Sequence, residues 1–398
     1  MEHVWFTAAI WLGLALVATL LGIWLRISVA LTEIVVGTVA QLVIGAWLGS
    51  AYLDANEGWV KFLAGVGAIV LTFLAGAELD PTAFKSFWKQ ATLIGLVGFF
   101  APFFLVAFIA HALLGWDARA SWLAGVALST TSVAVVYAVM LELGLNRTNF
   151  GKAILAACFI NDLGTVIALG LIFAPFTLKT GWFVGGFALS VPILVVGTRP
   201  FFKRYGGRPS ELEAKFLLFA LFLLGGLATW SGSEAVLPAY VIGMILAGTV
   251  GTDHQLVRRL RTLTFGLLTP FYFIRAGSLV QVPALMASFG AFVVLFFAKM
   301  VSKFSGVFPV TLKTGHDRRE AMYFTLMMST GLTFGTISSL YGLSHGIITQ
   351  GQYSLLVAAV IGSAVIPTWI ANQWFMPHRH LSKTKLIEEE LAAAAEED

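Results

Sequence analysis

Apolar runs of about twenty residues recur along nearly the whole of this 398-residue chain, each closed by charged or turn-forming residues. A run of that length crosses the roughly 30 Å hydrocarbon core of a bilayer as a helix. About thirteen can be drawn, at 4–25, 28–49, 59–79, 91–114, 121–143, 150–173, 181–200, 214–231, 235–250, 263–281, 284–308, 319–342 and 351–374. The ninth is short. Lipid offers no partner to an unpaired backbone group, so only helices or a closed barrel can span it. The alternating pattern of barrel strands is absent. The expected fold class is therefore all-α, a polytopic membrane protein. Composition agrees, with 58% hydrophobic and 12% charged residues and a mean hydropathy of +0.86, against about 25% charged in soluble proteins. A single cysteine, Cys158, excludes an internal disulfide framework. The first run lacks a basic leader and is long enough to span, so it reads as the first helix rather than a cleaved signal.

Basic residues in short loops mark the cytoplasmic side. With the N-terminus outside, nineteen of the 25 Lys and Arg fall on the cytoplasmic side. Only Lys61, Arg119 and Lys179 fall outside, and Arg275, Lys299 and Lys303 lie within spans. The arrangement expected is N-out and C-in, in a plasma (bacterial inner) membrane. This asymmetry also accounts for the net charge of +4 without a nucleic-acid partner.

The two halves echo each other. "LTEIVVG" from Leu31 pairs with "LPAYVIG" from Leu237, "FLAGAEL" from Phe73 with "FIRAGSL" from Phe273, and "LSTTSVAVV" from Leu128 with "MSTGLTFGT" from Met328. Partners lie seven spans apart, and an odd offset reverses direction across the membrane. These are inverted repeats, the architecture of many secondary transporters, which place their sites at broken helices near the midplane. The fifth span holds Ser129, Thr130, Thr131 and Ser132, and the twelfth holds Ser329, Thr330, Gly331 and Thr333. Two crossed discontinuous helices are expected there, exposing carbonyls and half-helix dipoles. The bland alternative is hydroxyls bonded back to their own helices.

Asp162 sits in the middle of the sixth span, in "FINDLGTVIALG". A carboxylate at that depth costs a few kcal/mol and must face protein or a water-filled cavity. It can hold a proton or a cation, one at a time. Hard alkali cations, sodium or potassium, take oxygen ligands, which Asp162, Asn161 and the hydroxyls of Thr131 and Ser132 would supply. A structural ion pair is the alternative. Lys299 and Lys303 lie four residues apart on one helical face; Lys299 is nearer the centre of the expected span, and Lys303 can snorkel toward the cytoplasm. Arg275 keeps its proton and reads as a fixed counter-charge, to Glu78 or to a helix C-terminus. Glu33 and Glu78 line the ion path or anchor packing. His111 reads as interfacial.

Five stretches carry a family resemblance: "LTEIVVG", "LAGVGAIVLTFLAGAELD", "TTSVAVVYAVMLELGL", "AACFINDLGTV" and "TPFYFIRAGSL". Over nearly its whole length the chain resembles the monovalent cation:proton antiporters of the NapA and KefC branch. The resemblance implies about 13 transmembrane helices in one transmembrane unit, residues 1–377, with core and dimerisation subdomains interleaved in sequence. A short cytoplasmic tail, 378–398, follows. It implies a homodimer in membrane lipid, an elevator-like motion and no cofactor. Asp162 matches the ion- and proton-carrying aspartate, and Thr131 and Ser132 match the crossing-helix hydroxyls. Lys303 matches the family lysine in its spacing from Gly277 and in the "FSG" that follows; depth favours Lys299. An Asn-Asp pair goes with electroneutral exchange in related branches, and potassium-efflux relatives carry Gln-Asp. The twelfth span lacks the acid that relatives often carry. The function expected is sodium/proton exchange. Potassium/proton exchange and sodium-coupled symport of an organic anion are the alternatives. No nucleophile–base pair or metal-ligand cluster suggests an enzyme.

Overall fold

The computed structural model describes residues 2–25, 28–48, 53–77, 81–173, 177–208, 210–233, 235–377 and 379, and no strand occurs among them. In chain order the helices are α1 (Glu2–Leu25), α2 (Val29–Leu48), α3 (Gly58–Ala77), α4 (Pro81–Ala112), α5 (Ala118–Ser129), α6 (Val133–Glu142), α7 (Asn149–Phe173), α8 (Leu178–Tyr205) and α9 (Leu212–Trp230). They continue as α10 (Val236–Leu246), α11 (His254–Leu263), α12 (Thr269–Ser278), α13 (Val282–Ala287), α14 (Phe289–Lys313), α15 (Arg318–Ser329), α16 (Thr333–Ser344) and α17 (Gln350–Trp374). Glu78 and, apart from Arg379, the expected tail lie outside the described residues.

Every expected run falls on helix, with instructive differences. The fifth and twelfth are each divided in two, at Thr130–Ser132 and Thr330–Leu332. The tenth opens with a π turn, Thr264–Leu268. The eleventh begins later and runs further than 284–308, because α14 extends to Lys313. Among the described residues nine helices are long and apolar enough to cross a membrane by length and composition, counting Ala118–Tyr137 as one. Length alone does not reach thirteen, because half-helices such as α15 and α16 are only 12 residues each.

The chain divides into two units, Met1–Pro81 with Val166–Ala284 and Thr82–Thr165 with Leu285–Asp398. In the first unit α2 packs on α12 and α3 on α10. A Cβ at Gly37 would fall on the carbonyl of Ile274, and one at Gly243 on the carbonyl of Phe73. Small residues allow this close approach of membrane helices. Because α2 pairs with α10 and α3 with α12 in the sequence repeat, these are one contact made twice with the halves exchanged. Around this seam Val70, Phe73, Leu217, Leu224, Ile242 and Leu260 form an apolar core. Trp11 stacks on Phe271 at 5.5 Å and donates its indole N–H to the Leu53 carbonyl. Trp5 and Trp24 of α1, and Leu178, Trp182 and Val196 of α8, are largely exposed. Apolar faces of that extent fit lipid rather than water.

The second unit contains α4–α6, the first part of α7, and α14–α17. Here the core is rich in hydroxyls. Ser129, Thr130, Thr131, Ser132, Thr325, Ser329, Thr330, Thr336 and Ser363 are all buried. This unit holds nearly all the residues singled out from the sequence.

Candidate functional site

Both helix breaks occur where the Ser-Thr runs occur, and the structure sorts their hydroxyls. Ser129 bonds back to the Val126 carbonyl, Thr130 to Ala127, Ser329 to Thr325 and Thr330 to Met327. These four follow the bland reading, satisfied by their own helices. Ser132 caps α6, accepting weakly from the Val135 N–H at 3.4 Å. Thr131 alone reaches across: its hydroxyl donates to the Met328 carbonyl in the last turn of α15, at 2.8 Å. The two breaks therefore meet.

Asp162 and Asn161 stand on α7, 1% and 0% exposed. The Asp162 carboxylate lies near the backbone N–H of Val133, the first residue of α6. Its charge thus faces the positive end of a half-helix dipole. The contact of Asn161 is long: its Nδ2 donates to the Gly95 carbonyl at 3.5 Å. Two oxygens, Asp162 Oδ1 and Asn161 Oδ1, have no hydrogen-bond partner among the described residues. Leaving a buried polar atom unpaired costs about 1–3 kcal/mol, more if charged. An unpaired carboxylate oxygen near the start of a half-helix is a ligand atom for a hard cation, and the carboxylate is equally a seat for a proton.

Lys303 and Lys299, on α14, are both 0% exposed. The snorkelling available to Lys303 does not occur, because α14 runs ten residues past it and its Nζ instead donates to Thr131 Oγ1 at 3.1 Å. It feels the charge of Asp162. Among the described residues, ion pairs within 4.0 Å include His3–Asp54, Arg259–Glu211 and His316–Glu320 but not Lys303–Asp162. Lys299 serves the other break. Its Nζ donates to Ser363 Oγ at 2.9 Å, and a Cβ at Gly331 would collide with it. Only a residue without a side chain lets the ammonium come this close to the backbone of the break.

Arg275 belongs to the first unit. It sits on α12 and donates from Nε to the Ala55 carbonyl at 2.8 Å. Glu33, on α2 of the same unit, is 2% exposed, and its Oε2 has no partner among the described residues. His111 hydrogen-bonds with the Trp116 carbonyl at the end of α4, as an interfacial histidine would.

Sequence reasoning missed Ser363. The signal was present: a serine in the apolar run "AAVIGSAVIP", four residues before Pro367. Proline lacks the N–H that would bond the carbonyl four residues earlier, so that turn of α17 lacks one backbone bond while the helix continues. Also missed was the cluster where Gln90 Nε2 lies 2.6 Å from His316 Nε2, and His316 Nδ1 lies 3.2 Å from Glu320.

A family model described as "Sodium/hydrogen exchanger, transmembrane" matches residues 4–375. "Cation/H(+) antiporter 17" of Arabidopsis thaliana is 28% identical over 381 residues, covering 87% of this chain and 46% of its own length. The chain thus spans about half the length of that curated relative. "Probable Na(+)/H(+) antiporter 3" of Methanocaldococcus jannaschii is 24% identical, covering 87% of this chain and 90% of its own length. Among solved structures, the sodium proton antiporter MjNhaP1 from Methanocaldococcus jannaschii at pH 8 matches with a TM-score of 0.71 at 15% identity. That match covers 94% of this chain and 97% of the other. At that identity the likeness establishes the fold. These similar proteins are transporters rather than enzymes.

Proposed function

Because the chain belongs to the transmembrane sodium/hydrogen exchanger family, we propose that it is a secondary active antiporter exchanging a monovalent cation, sodium before potassium, for protons. The observation that carries this reading is the buried pair of unpartnered oxygens, Asp162 Oδ1 and Asn161 Oδ1. Asp162 is the carrier. Protonated, it crosses neutral; ionised, it takes a cation, with the Asn161 oxygen as second ligand and Thr131 and Ser132 completing the shell. Thr131 is engaged by Lys303, so cation entry displaces that ammonium. Proton and cation compete for one carboxylate, and that competition couples the flows.

Asn161 carries no charge. With Asp162 the sole group that titrates, one proton leaves for each cation, and exchange is electroneutral. Lys303 remains protonated as the charge that compensates the crossing. Arg275, tied to the Ala55 carbonyl, is a fixed counter-charge. The second unit serves as the moving core of an elevator and the first as the dimerisation domain of a homodimer. The protein lies in a bacterial inner membrane with its N-terminus outside. Its cargo is the only metal it needs, and no organic cofactor takes part.

Proteoliposomes loaded with a pH-sensitive dye test the reading. Sodium added outside should dequench the dye, and Asp162→Asn should remove the response. Dequenching by potassium and not sodium would reassign the cation. A large sustained current after a sodium jump on a supported membrane would overturn the neutral scheme.

A further inference from the structure

Next along α14 from the two lysines, Met300 and Phe304 share a face with Phe296. Together with Leu326 of α15, Pro367 of α17 and Phe375 just beyond it they line a cavity of about 470 Å³, all within the second unit. That volume lies in the roughly 300–1,000 Å³ range of small-molecule sites. Every lining residue is apolar, so the cavity offers nothing to an ion or a sugar. Inside a bilayer, the molecule matching such a wall is a hydrocarbon chain.

Charge lies beside the cavity at the start of α15. Met322, which lines it, stands one turn after Arg318 and Arg319, and both arginines are exposed. Arg319 Nε donates to the Met376 carbonyl at 2.9 Å, which fixes the guanidinium beside Phe375. Guanidinium groups match phosphate oxygens in a planar, two-pronged geometry. We infer that this cavity binds one anionic glycerophospholipid, an acyl chain between α14, α15 and α17 and the phosphate at Arg318 and Arg319.

The position gives the lipid a consequence. Its walls are the helices that carry Lys299, Lys303 and Ser363, and Pro367 lies in the wall four residues beyond Ser363. A chain seated there supports the α17 turn that proline leaves without its backbone bond. This inference is independent of which cation is carried.

Native mass spectrometry of delipidated protein tests it, with phosphatidylglycerol or phosphatidylcholine of identical chains as the probes. One phosphatidylglycerol should be retained about five-fold more tightly per arginine engaged, the equivalent of about 1 kcal/mol for a basic residue at an anionic surface. Arg318→Gln with Arg319→Gln should bring phosphatidylglycerol down to the phosphatidylcholine level. Ile370→Trp, which fills the cavity, should weaken retention of both lipids. Ile366→Trp, at a more exposed point of the same wall, gives the same reading should Ile370→Trp fail to fold. Equal retention of the two lipids by the unaltered protein would overturn the proposal, as would undiminished retention in the filled variants.

Discussion

The two helix breaks share a backbone plan and differ in chemistry. Each is three residues long, falls after a serine that bonds back to its own helix, and opens a second half-helix. The α5–α6 break faces a carboxylate, with Asp162 at the first N–H of α6. The α15–α16 break faces an ammonium, with Lys299 against Gly331 and Ser363. Lys303 joins them through Thr131 and the Met328 carbonyl. Half-helix ends in a low-dielectric interior need opposite charges, and here each break receives one. The first also keeps an unpaired carboxylate oxygen, Asp162 Oδ1. On the proposed reading the repeat supplies two scaffolds and one site.

The largest test of this division is at Asp162. Asp162→Asn keeps the size and removes the charge, so exchange should fall to background while the protein remains folded in detergent. The equivalent loss should not follow any substitution at Ser329 or Thr330, whose hydroxyls serve their own helices. Retained dye dequenching in Asp162→Asn would move the site to the second break or to Glu33.

Next in size is the contrast between the lysines. Lys303→Gln removes the positive charge felt by Asp162. The dependence of exchange on pH should change once that charge is gone, read by the dye assay run as a pH series. Lys299→Gln should instead lower thermal stability, by about 1–3 kcal/mol for the partners left unpaired, with the pH profile in place. Profiles that move equally in both variants would erase the distinction.

How much of this was legible beforehand differs residue by residue. Asp162 announced itself as a charge in an apolar run. The breaks were visible as Ser-Thr clusters at matching places in the repeat, although sequence could not say that Thr131 alone would bond across. The lysines could not be separated, because four residues on one helix face give them the same local environment. What separates them is distant in the chain: Thr131 lies 172 residues from Lys303, and Ser363 lies 64 from Lys299. The depth argument failed for a related reason. Span limits drawn from hydropathy stopped at residue 308, while α14 continues to Lys313 and places both lysines near its middle. Polar residues of the last turns do not stop a helix whose other face is packed.

Thr131→Ala tests the joint between the breaks. It deletes both the bond from Lys303 and the bond to the Met328 carbonyl. The expected cost is about 1–3 kcal/mol in unfolding, since a buried carbonyl and an ammonium lose their partner. Sodium should also bind more weakly if Thr131 is the ligand proposed. A dye assay across sodium concentrations, run beside a thermal denaturation series, reads both. Weaker sodium binding with unchanged stability would make Thr131 a ligand without a structural part.

Ser363→Ala is the smallest and the most discriminating change. Ser363 accepts from Lys299 at 2.9 Å and donates to the Val360 carbonyl at 2.8 Å, with a longer approach to the Gly331 carbonyl at 3.4 Å. The Val360 carbonyl belongs to a helix in which most such groups already have a backbone donor, so losing that bond costs little. Lys299 loses the hydroxyl to which its ammonium donates, and a buried ammonium without a partner is the expensive part. A stability loss of about 1 kcal/mol is expected, and on the proposed reading, in which cargo binds at the first break, sodium affinity and pH profile stay unchanged. If Ser363→Ala shifted the sodium dependence as Thr131→Ala does, the two breaks would be two halves of one binding site, and the asymmetry drawn from their charges would fail.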